Sequence, residues 1–320
     1  MATKPSKSTE LYHYTSLAGL MGIVNSGTLH ASHIDFLNDR KEMAYADDVM
    51  RPTIREEFRT RFLELQNAGL MNDNFDMDWL CDKETDTFFR VISEVSNRYS
   101  PIFICSFCRT DDPYIAENGL LSQWRGYGGG GVSIVFDEYE LKTLVEAQLS
   151  KFKLAVTSFE NIIYGKESHR FTEVEADLDL FRRAVPTLME HTMSKALGKK
   201  VVFEGEKVEI DDLYLPYANV KPILKHPAFF EERETRIVVA VARNKFSKKS
   251  SLKKKDIKFK LRDNYLLPYI VLEKKGRKLP IKRVIVGPSV EPLRRKASVD
   301  LLLSENGYDV PVTVSEIPFA

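Results

Sequence analysis

The chain has 320 residues and a formal net charge of +1, with 47 lysines and arginines against 46 aspartates and glutamates. This balance excludes a global attraction to polyanions, so any contact with nucleic acid has to be local. Hydrophobic residues make up 43% of the sequence, which is enough for a large core in one elaborated domain or in two small ones.

The cysteine content and the N-terminal residues indicate the cellular compartment. Three cysteines in a chain of this length do not form a disulfide framework, which indicates a reducing compartment. The segment MATKPSKSTE is polar and is not followed by the apolar stretch of a secretion signal. No stretch approaches the roughly 20 apolar residues that span a bilayer. We therefore expect a cytoplasmic protein without membrane contact.

The N-terminal part is predicted to begin with a β-α-β unit. Leu11–Thr15 has the composition of a short strand, and a second strand is predicted at Leu29–His33. Between them, Ser16 is placed to cap an amphipathic helix and Gly27 to end it. Helices are then expected to dominate from about 39 to 98.

The middle of the chain contains two apolar runs of strand length. Ile102–Cys108 is continuously apolar apart from one serine, which is typical of a strand buried on both faces. Four glycines, 128–131, precede the second run, Val132–Phe136. From 138 to 220 the pattern is mostly helical, with two short β-like segments, and indicates an elaboration on the core.

The C-terminal part returns to strands. The predicted elements are four strands, a helix and a last strand: Arg236–Ala242, Ile257–Leu261, Tyr269–Leu272, Ile281–Val286, Val290–Glu305 and Val310–Val314. Strands at both ends of the chain have to pair non-locally. The sequence therefore predicts a single α+β domain over 1–320, with core strands near 11–33, 101–137 and 233–315 and helical elaborations at about 39–98 and 138–220.

One segment is strongly basic. Residues 243–260 contain eight lysines and one arginine, interleaved with three serines. Such a stretch is typical of a solvated loop or hairpin. A local contact with nucleic acid is the alternative interpretation.

Several motifs carry a resemblance to a known family. In chain order they are LYHYTS, SGTL, LND, SFC, WRGYGGGGVSIVFD, FFEERETRIV and VIVGP. Together they look like the bacterial domain of unknown function 2971 (DUF2971) family, which in turn is similar to ADP-ribosyltransferases. The resemblance implies a split β-sheet core with helical insertions, NAD as co-substrate, and no metal.

The resemblance also implies roles for individual residues. His13 would hydrogen-bond a ribose hydroxyl of NAD, the backbone of Tyr14 would hold the nicotinamide amide, and Thr15 would help to position the ribose. Glu234 would be the catalytic carboxylate that accepts a hydrogen bond from the 2′-hydroxyl and faces the developing oxocarbenium ion. Glu232, two residues earlier, would share its face on a strand and activate the acceptor; a shifted register would exchange the two roles.

Aromatic and guanidinium side chains complete the expected site. Phe107 and Tyr127 would sandwich the nicotinamide ring, with Trp124 as a substitute for either. Arg125 or Arg236 would bind the pyrophosphate, or else form an internal salt bridge with one of the two glutamates. Without the resemblance, a strand histidine, aromatic rings beside glycines and an acidic run are more typical of core packing and solvated edges.

Other classes of site find no support. The pair Cys105 and Cys108 forms a C-x-x-C, but on a strand the two thiols point to opposite faces, and no second pair exists for zinc. Neither H-E-x-x-H nor G-x-S-x-G occurs. The glycine run precedes a strand and does not open a helix, so it is not a nucleotide loop.

Two hypotheses for function follow. The first is an NAD-dependent ADP-ribosyltransferase that cleaves the nicotinamide–ribose bond and transfers ADP-ribose to a protein, a nucleic acid or water, in the manner of a bacterial toxin or phage-defence effector. The second is a non-catalytic nucleotide-binding or regulatory module that keeps the fold, because a fold does not guarantee an activity. The identity of the acceptor is not indicated by the sequence.

Overall fold

A computed structural model of the chain describes residues 9–37, 40–72, 74–126, 131–243, 252–262, 264–273 and 276–318, with only the backbone for 40–43. The strands in these ranges are β1 Glu10–Thr15, β2 Leu29–His33, β3 Ile102–Cys108, β4 Val132–Asp137, β5 Leu154–Asn161, β6 Ile163–Tyr164, β7 Leu224–Lys225, β8 Glu234–Val241, β9 Lys258–Arg262, β10 Tyr265–Leu272, β11 Ile281–Val286 and β12 Val312–Val314. The α-helices are α1 Leu17–Ser26, α2 Arg40–Asn67, α3 Met77–Tyr99, α4 Pro113–Asn118, α5 Leu121–Gly126, α6 Glu138–Leu149, α7 Thr172–Leu197, α8 Tyr214–Val220 and α9 Pro292–Glu305. The α+β class is confirmed.

Local signals set the ends of the first helix as predicted. The Ser16 hydroxyl accepts a hydrogen bond from the backbone N–H of Gly19 at 3.1 Å, which satisfies one of the free donors of the first turn. Gly27 ends the helix in the left-handed region, with φ of 62°, where a glycine costs least. The chain then enters β2 at the predicted Leu29.

Ten of the strands in the described ranges form one mixed sheet. The main path runs β12–β11–β4–β1–β3–β2–β10–β9, and β8 and β5 branch from β3. The pairs are antiparallel except for β11 and β12. The first strand of the chain therefore lies beside a strand about 90 residues away, as the non-local pairing predicted from the sequence requires.

The branch follows from the three partners of β3. β8 pairs with β3 along its whole length, from Ile102 to Cys108, and so occupies one edge. On the other edge β1 pairs only at Cys108, whereas β2 pairs only at Ile104 and Phe103. Within the described part of the chain, β3 has no strand partner on this edge at residues 105–107. We call this opening between β1 and β2 the split.

Side chains alternate along β3 between two cores. Ile102 and Ile104 pack in a cluster formed with α2, α3, α7 and α8, and Phe103 and Phe107 in a cluster formed with α1, α6 and α9. Burying each of these side chains contributes about 1.5–3 kcal/mol, which explains the continuous apolar run. A third, smaller cluster under α5 contains Tyr12 and Tyr14. The described helices include none that is both long and apolar enough to cross a membrane.

The structure corrects one expectation about the sequence segments. The stretch 138–220 is not only an elaboration, because β5 pairs with β8 over most of its length and belongs to the main sheet. All but the last residue of β5 are partly buried, so its hydrophobic pattern is weak and the sequence does not mark it as a core strand. Of the basic segment, Lys258 and Lys260 lie in the β9–β10 hairpin, whereas residues 244–251 lie outside the described residues.

The close packing of Gly131, the residue before β4, predicts an effect of substitution on stability. A Cβ on Gly131 would lie 2.2 Å from the carbonyl oxygen of Thr15, at the point where β4 begins against the end of β1. We expect Gly131→Ala to lower the free energy of unfolding by about 1–3 kcal/mol, because backbone has to move apart. Gly22→Ala is the control, since a Cβ there meets nothing within 4 Å and a helical alanine is favoured by up to about 1 kcal/mol. Chemical denaturation that found both variants equally stable would contradict this packing.

Candidate functional site

Three segments that are distant in sequence lie on neighbouring strands. Tyr12 of β1 lies opposite Cys108 of β3, and Cys108 lies opposite Glu234 of β8. Two strand spacings therefore separate β1 from β8, which is about 10 Å between backbones. The first and the last of the segments predicted to carry the chemistry, those with His13 and with Glu234, are thus brought to the same part of the sheet.

The sheet register assigns each side chain to a face. Directly opposed residues in antiparallel strands share a face, so Tyr12, Cys108 and Glu234 point to one side. By alternation Ser106 and its partner Arg236 lie on that side as well. His13 does not, and its ring packs 5.5 Å from that of Phe107. The histidine and the glutamate therefore approach the site from different sides of the sheet.

Four charged side chains form a buried charge cluster at the start of β8: Lys225, Glu232, Glu234 and Arg236. Two guanidinium nitrogens of Arg236 donate to the two oxygens of Glu234, at 2.6 and 2.8 Å. The Lys225 ammonium donates to Glu234 at 2.9 Å and to Glu232 at 2.6 Å. The internal salt bridge is thus the alternative that the structure shows for Arg236. Its guanidinium also donates to the carbonyl of Pro222 at 2.6 Å.

The cluster depends on an unusual backbone turn. We expected Glu232 and Glu234 to share one face of a strand, but Glu232 ends a 3₁₀ helix, Pro227–Glu232, and the strand begins only at Glu234. Arg233 between them has φ of 41° and is the only non-glycine residue in the described ranges with a positive φ. This left-handed residue turns the chain so that both carboxylates reach Lys225. Such a conformation costs about 1–2 kcal/mol and persists because the surroundings hold it.

The charges keep Glu234 ionised although it is buried. Burial alone raises the pKa of Glu234, but the nearby charges of Arg236 and Lys225 outweigh burial and lower the pKa to about 2. The Ser106 hydroxyl contributes to the lowering. The backbone N–H of Glu234 donates to the Tyr164 hydroxyl at 2.8 Å, which fixes the start of the strand. The site therefore offers a fixed negative charge at neutral pH.

On the opposite side of the sheet from Glu234, His13 contacts β3 within the split. Nδ1 of His13 lies 2.9 Å from the carbonyl oxygen of Ser106, at a position where β3 has no strand neighbour on this edge among the described residues. Because a carbonyl only accepts, Nδ1 carries the proton and Nε2 of the neutral ring is an acceptor. Burial lowers the pKa of His13, and the charge of Lys260 adds to this effect. The imidazole is therefore neutral at pH 7.

Lys260 of β9 acts electrostatically on His13 and His30. Its ammonium lies 5.5 Å from the centre of the Tyr269 ring, and that ring contacts His30. Burial, followed by the charges of Lys260 and Lys258, lowers the pKa of His30 to about 4. The split is therefore bordered on the side of β2 by a neutral histidine, whereas β9 lies two strands farther along the sheet.

The remaining residues expected near the ribose have structural contacts. The Tyr14 hydroxyl accepts a hydrogen bond from the Leu120 backbone at 2.8 Å, and its ring meets the edge of Trp124. Trp124 is 2% exposed and donates to the carbonyl of Asn118. Thr15 ends β1, and its side chain lies against Gly19 of α1. Each of these contacts orders β1 and the segment that covers it.

The residues expected to clamp the ring and the pyrophosphate are not brought together among the described residues. Phe107 is 1% exposed and packs between Phe136 and Phe159, so neither ring face is open. Arg125 is exposed at the end of α5. Tyr127 lies outside the described residues. Core packing explains the observed place of Phe107.

Sequence reasoning missed Lys225 and Tyr164, which hold Glu234. Both lie in two-residue strands, β6 and β7, that pair with each other and are too short to give a periodic signal. Ser106 was visible as the polar residue in an otherwise apolar run, and could have been recognised from that position. No group of three or more His, Cys, Asp or Glu side chains in the described ranges is arranged to bind a metal ion.

Comparison with known proteins identifies a family model. Residues 123–237 match the model described as "Protein of unknown function (DUF2971)". This range covers just over a third of the chain and includes Trp124 and the whole buried charge cluster, and it supports the DUF2971 resemblance there. His13 and β1 lie outside it. No curated protein and no solved structure matches the chain.

The buried charge cluster predicts a large effect of neutralising Glu234. Glu234→Gln leaves two buried cations without their shared carboxylate, so we expect the free energy of unfolding to fall by about 3–5 kcal/mol. The folded-state pKa of about 2 lies below the ordinary value of 4.5, so this carboxylate stabilises the wild type above about pH 4.5. That stability is lost as the pH falls towards 2, and the variant lacks this pH-dependent component.

Denaturant titrations at neutral and acidic pH measure both effects. Glu231→Gln is the matched control, since it removes an exposed carboxylate from the same acidic run. Equal stability of the two variants at neutral pH would contradict the assignment of Glu234 to a buried, ionised pair.

Proposed function

We propose that the protein is an NAD-using ADP-ribosyltransferase, or an NAD glycohydrolase when water is the acceptor, with Glu234 as its catalytic carboxylate. One observation carries the proposal: Tyr12 of the first expected segment and Glu234 of the last lie on the same side of the sheet, separated only by Cys108 of β3, and Glu234 is ionised.

The chemistry requires a fixed negative charge beside the ribose. When the bond between ribose C1′ and the nicotinamide nitrogen breaks, its electron pair leaves with the ring, and positive charge develops on the ribose. A preorganised carboxylate stabilises this charge more in the transition state than in the ground state. Glu234, held ionised by Arg236 and Lys225, meets this requirement.

Access to Glu234 requires that one of its bonds be exchanged. Arg236 holds both oxygens through a bidentate pair, which is the stronger arrangement. Lys225 is a single flexible ammonium that also has Glu232 as a partner. We therefore assign the 2′-hydroxyl of the ribose to the position that Lys225 occupies on Glu234, with the ammonium moving onto Glu232.

The split supplies the other half of the proposed site. Past Tyr12 the edge of β1 that faces β3 has no strand partner among the described residues, so backbone groups there are available to a ligand. An amide such as that of nicotinamide pairs with such an edge as a strand would. The Nε2 acceptor of His13 lies at the same edge and suits a ribose hydroxyl.

Glu232 is the candidate base for the acceptor. Its side chain is 19% exposed, against 5% for Glu234, so an acceptor hydroxyl can approach it from solvent. As the acceptor oxygen bonds to C1′, its proton passes to the Glu232 carboxylate. The two glutamates thus keep the roles that the resemblance implies, although they do not share a strand.

The second candidate is a non-catalytic nucleotide-binding or regulatory module. The observation that favours it is the closed state of the site, in which both Glu234 oxygens already have charged partners. Phe107 and Trp124 are buried as well. Binding of NAD without its consumption would support this candidate.

The proposed function is tested by moving the carboxylate without removing its charge. Glu234→Asp keeps the charge balance but withdraws the carboxylate by one methylene, and a misplacement of about 1 Å costs on the order of a hundredfold in rate. We expect nicotinamide release from NAD, followed by chromatography, to fall by about this factor. The free energy of unfolding should change far less than in Glu234→Gln, since the cations keep a partner.

Glu231→Asp provides the control and should retain wild-type turnover. Release that survives in Glu234→Asp would remove Glu234 from the catalytic role. A wild-type protein that binds NAD but releases no nicotinamide, with water or with cell lysate as acceptor, would favour the non-catalytic module.

A further inference from the structure

One face of the β2–β10–β9 part of the sheet combines cations with aromatic rings. In β9, Lys258, Lys260 and Arg262 lie opposite Tyr269, Leu267 and Tyr265 of β10, so all six share a face. Val271 lies opposite His30, which extends the same face onto β2. We call Lys258, Lys260, Arg262, Tyr265, Tyr269 and His30 the basic–aromatic face.

The cations of this face are evenly spaced along β9 and largely exposed. Lys258 and Lys260 are exposed, and Arg262 is half-buried. Successive members stand two residues apart on an extended strand, or about 6.6–6.8 Å. The described strand positions of this face include no acidic residue. The protein as a whole is nearly neutral, so this row of positive charge is a local feature.

The rings lie beside the charges and are accessible. The rings of His30 and Tyr269 are in contact, with centroids 4.3 Å apart and planes inclined by 32°. The Lys260 ammonium lies 5.5 Å from the centre of the Tyr269 ring. His30 is exposed and, with its lowered pKa, neutral at pH 7. Neutral rings flanked by cations suit unpaired bases, which stack on any π-face while the phosphates meet the charges.

The register places the basic–aromatic face on the same side of the sheet as Glu234. Ser32 of β2 lies opposite Ile104 of β3, so by alternation His30 shares its side of the sheet with Ser106 and Glu234. The bases of a nucleic-acid strand lying along β9 therefore extend over β10 and β2 towards the split, on the side of Glu234. A duplex fits less well, because its bases are paired and cannot stack on the rings of a sheet.

We propose that the basic–aromatic face binds single-stranded nucleic acid and presents it to the split as the acceptor of ADP-ribose. The phosphates lie along Lys258, Lys260 and Arg262, and bases stack on Tyr269 and His30. The binding stands on the face alone, whereas the acceptor role rests on the proposed function. Transfer forms a bond from a nucleic-acid oxygen or nitrogen to C1′ of the ribose, releases nicotinamide, and passes the proton of the acceptor to Glu232.

Fluorescence anisotropy with a labelled oligo(dT) of about 12 nucleotides tests the binding without NAD. The variant Lys258→Ala/Lys260→Ala/Arg262→Ala should bind on the order of a hundredfold more weakly than the wild type. For this variant the slope of log K against the logarithm of the salt concentration should be shallower by about 2. Each of the three phosphates that loses its cationic partner contributes about 0.7 to this change. The matched control is Lys195→Ala/Lys199→Ala/Lys200→Ala, which removes three exposed lysines at the end of α7 and should bind like the wild type.

A second variant separates stacking from charge. His30→Ala/Tyr269→Leu should weaken binding by on the order of tenfold with an unchanged salt dependence, because bases lose their rings but phosphates keep their cations. A duplex of the same length should bind more weakly than the single strand. No binding by the wild type, equal weakening in both triple variants, or tighter binding of the duplex would overturn the proposal.

The two proposals fail separately. Nicotinamide release into water by a Lys258→Ala/Arg262→Ala variant, which keeps the Lys260 charge that acts on His13, reports on NAD chemistry and should match the wild type. Oligonucleotide binding without any modification of the bound strand by a protein that cleaves NAD would overturn the acceptor role alone. Binding with no cleavage of NAD would overturn the proposed function and leave the basic–aromatic face as a binding surface.

Discussion

The structure depends on the edge of β3 that β8 leaves open. A strand has two edges, and β8 occupies one of them over the full length of β3, so β1 and β2 have to share the other. Neither pairs with the middle of β3, where the carbonyl of Ser106 receives its hydrogen bond from His13 instead of from a strand. The split, the free edge of β1 and the approach of the basic–aromatic face all follow from this competition. The helices on both faces hold the branch in place.

The buried charge cluster stabilises the fold, and this role opposes the chemical role that we propose for it. Two cations keep Glu234 ionised in a buried position, and they join the start of β8 to β7 and to the loop after α8. The same cations occupy the oxygens to which we assign a ribose hydroxyl. In the proposed function the site is stable when closed and has to exchange a partner, so the proposal gives central roles to the flexible Lys225 and the partly exposed Glu232.

Much of the fold could be predicted because its signals are local. The apolar run of β3, the Ser16 cap and the Gly27 terminus each act within a few residues, and the structure has them as expected. The site was harder to predict because it depends on register and on turns. The side that His13 faces, the left-handed Arg233 that brings Glu232 to Lys225, and the pairing of β5 with β8 are all set by partners far along the chain. Lys225 itself has no sequence neighbours that mark it as functional.

The most direct test of the account is the structure of the protein with an NAD analogue whose nicotinamide–ribose bond cannot be cleaved. We expect the ribose 2′-hydroxyl at hydrogen-bond distance from the Glu234 carboxylate, about 2.6–3.2 Å, with Lys225 displaced onto Glu232 and the nicotinamide amide on the edge of β1 past Tyr12. An analogue bound elsewhere, with Glu234 still bonded to both Lys225 and Arg236, would contradict the catalytic role of the cluster.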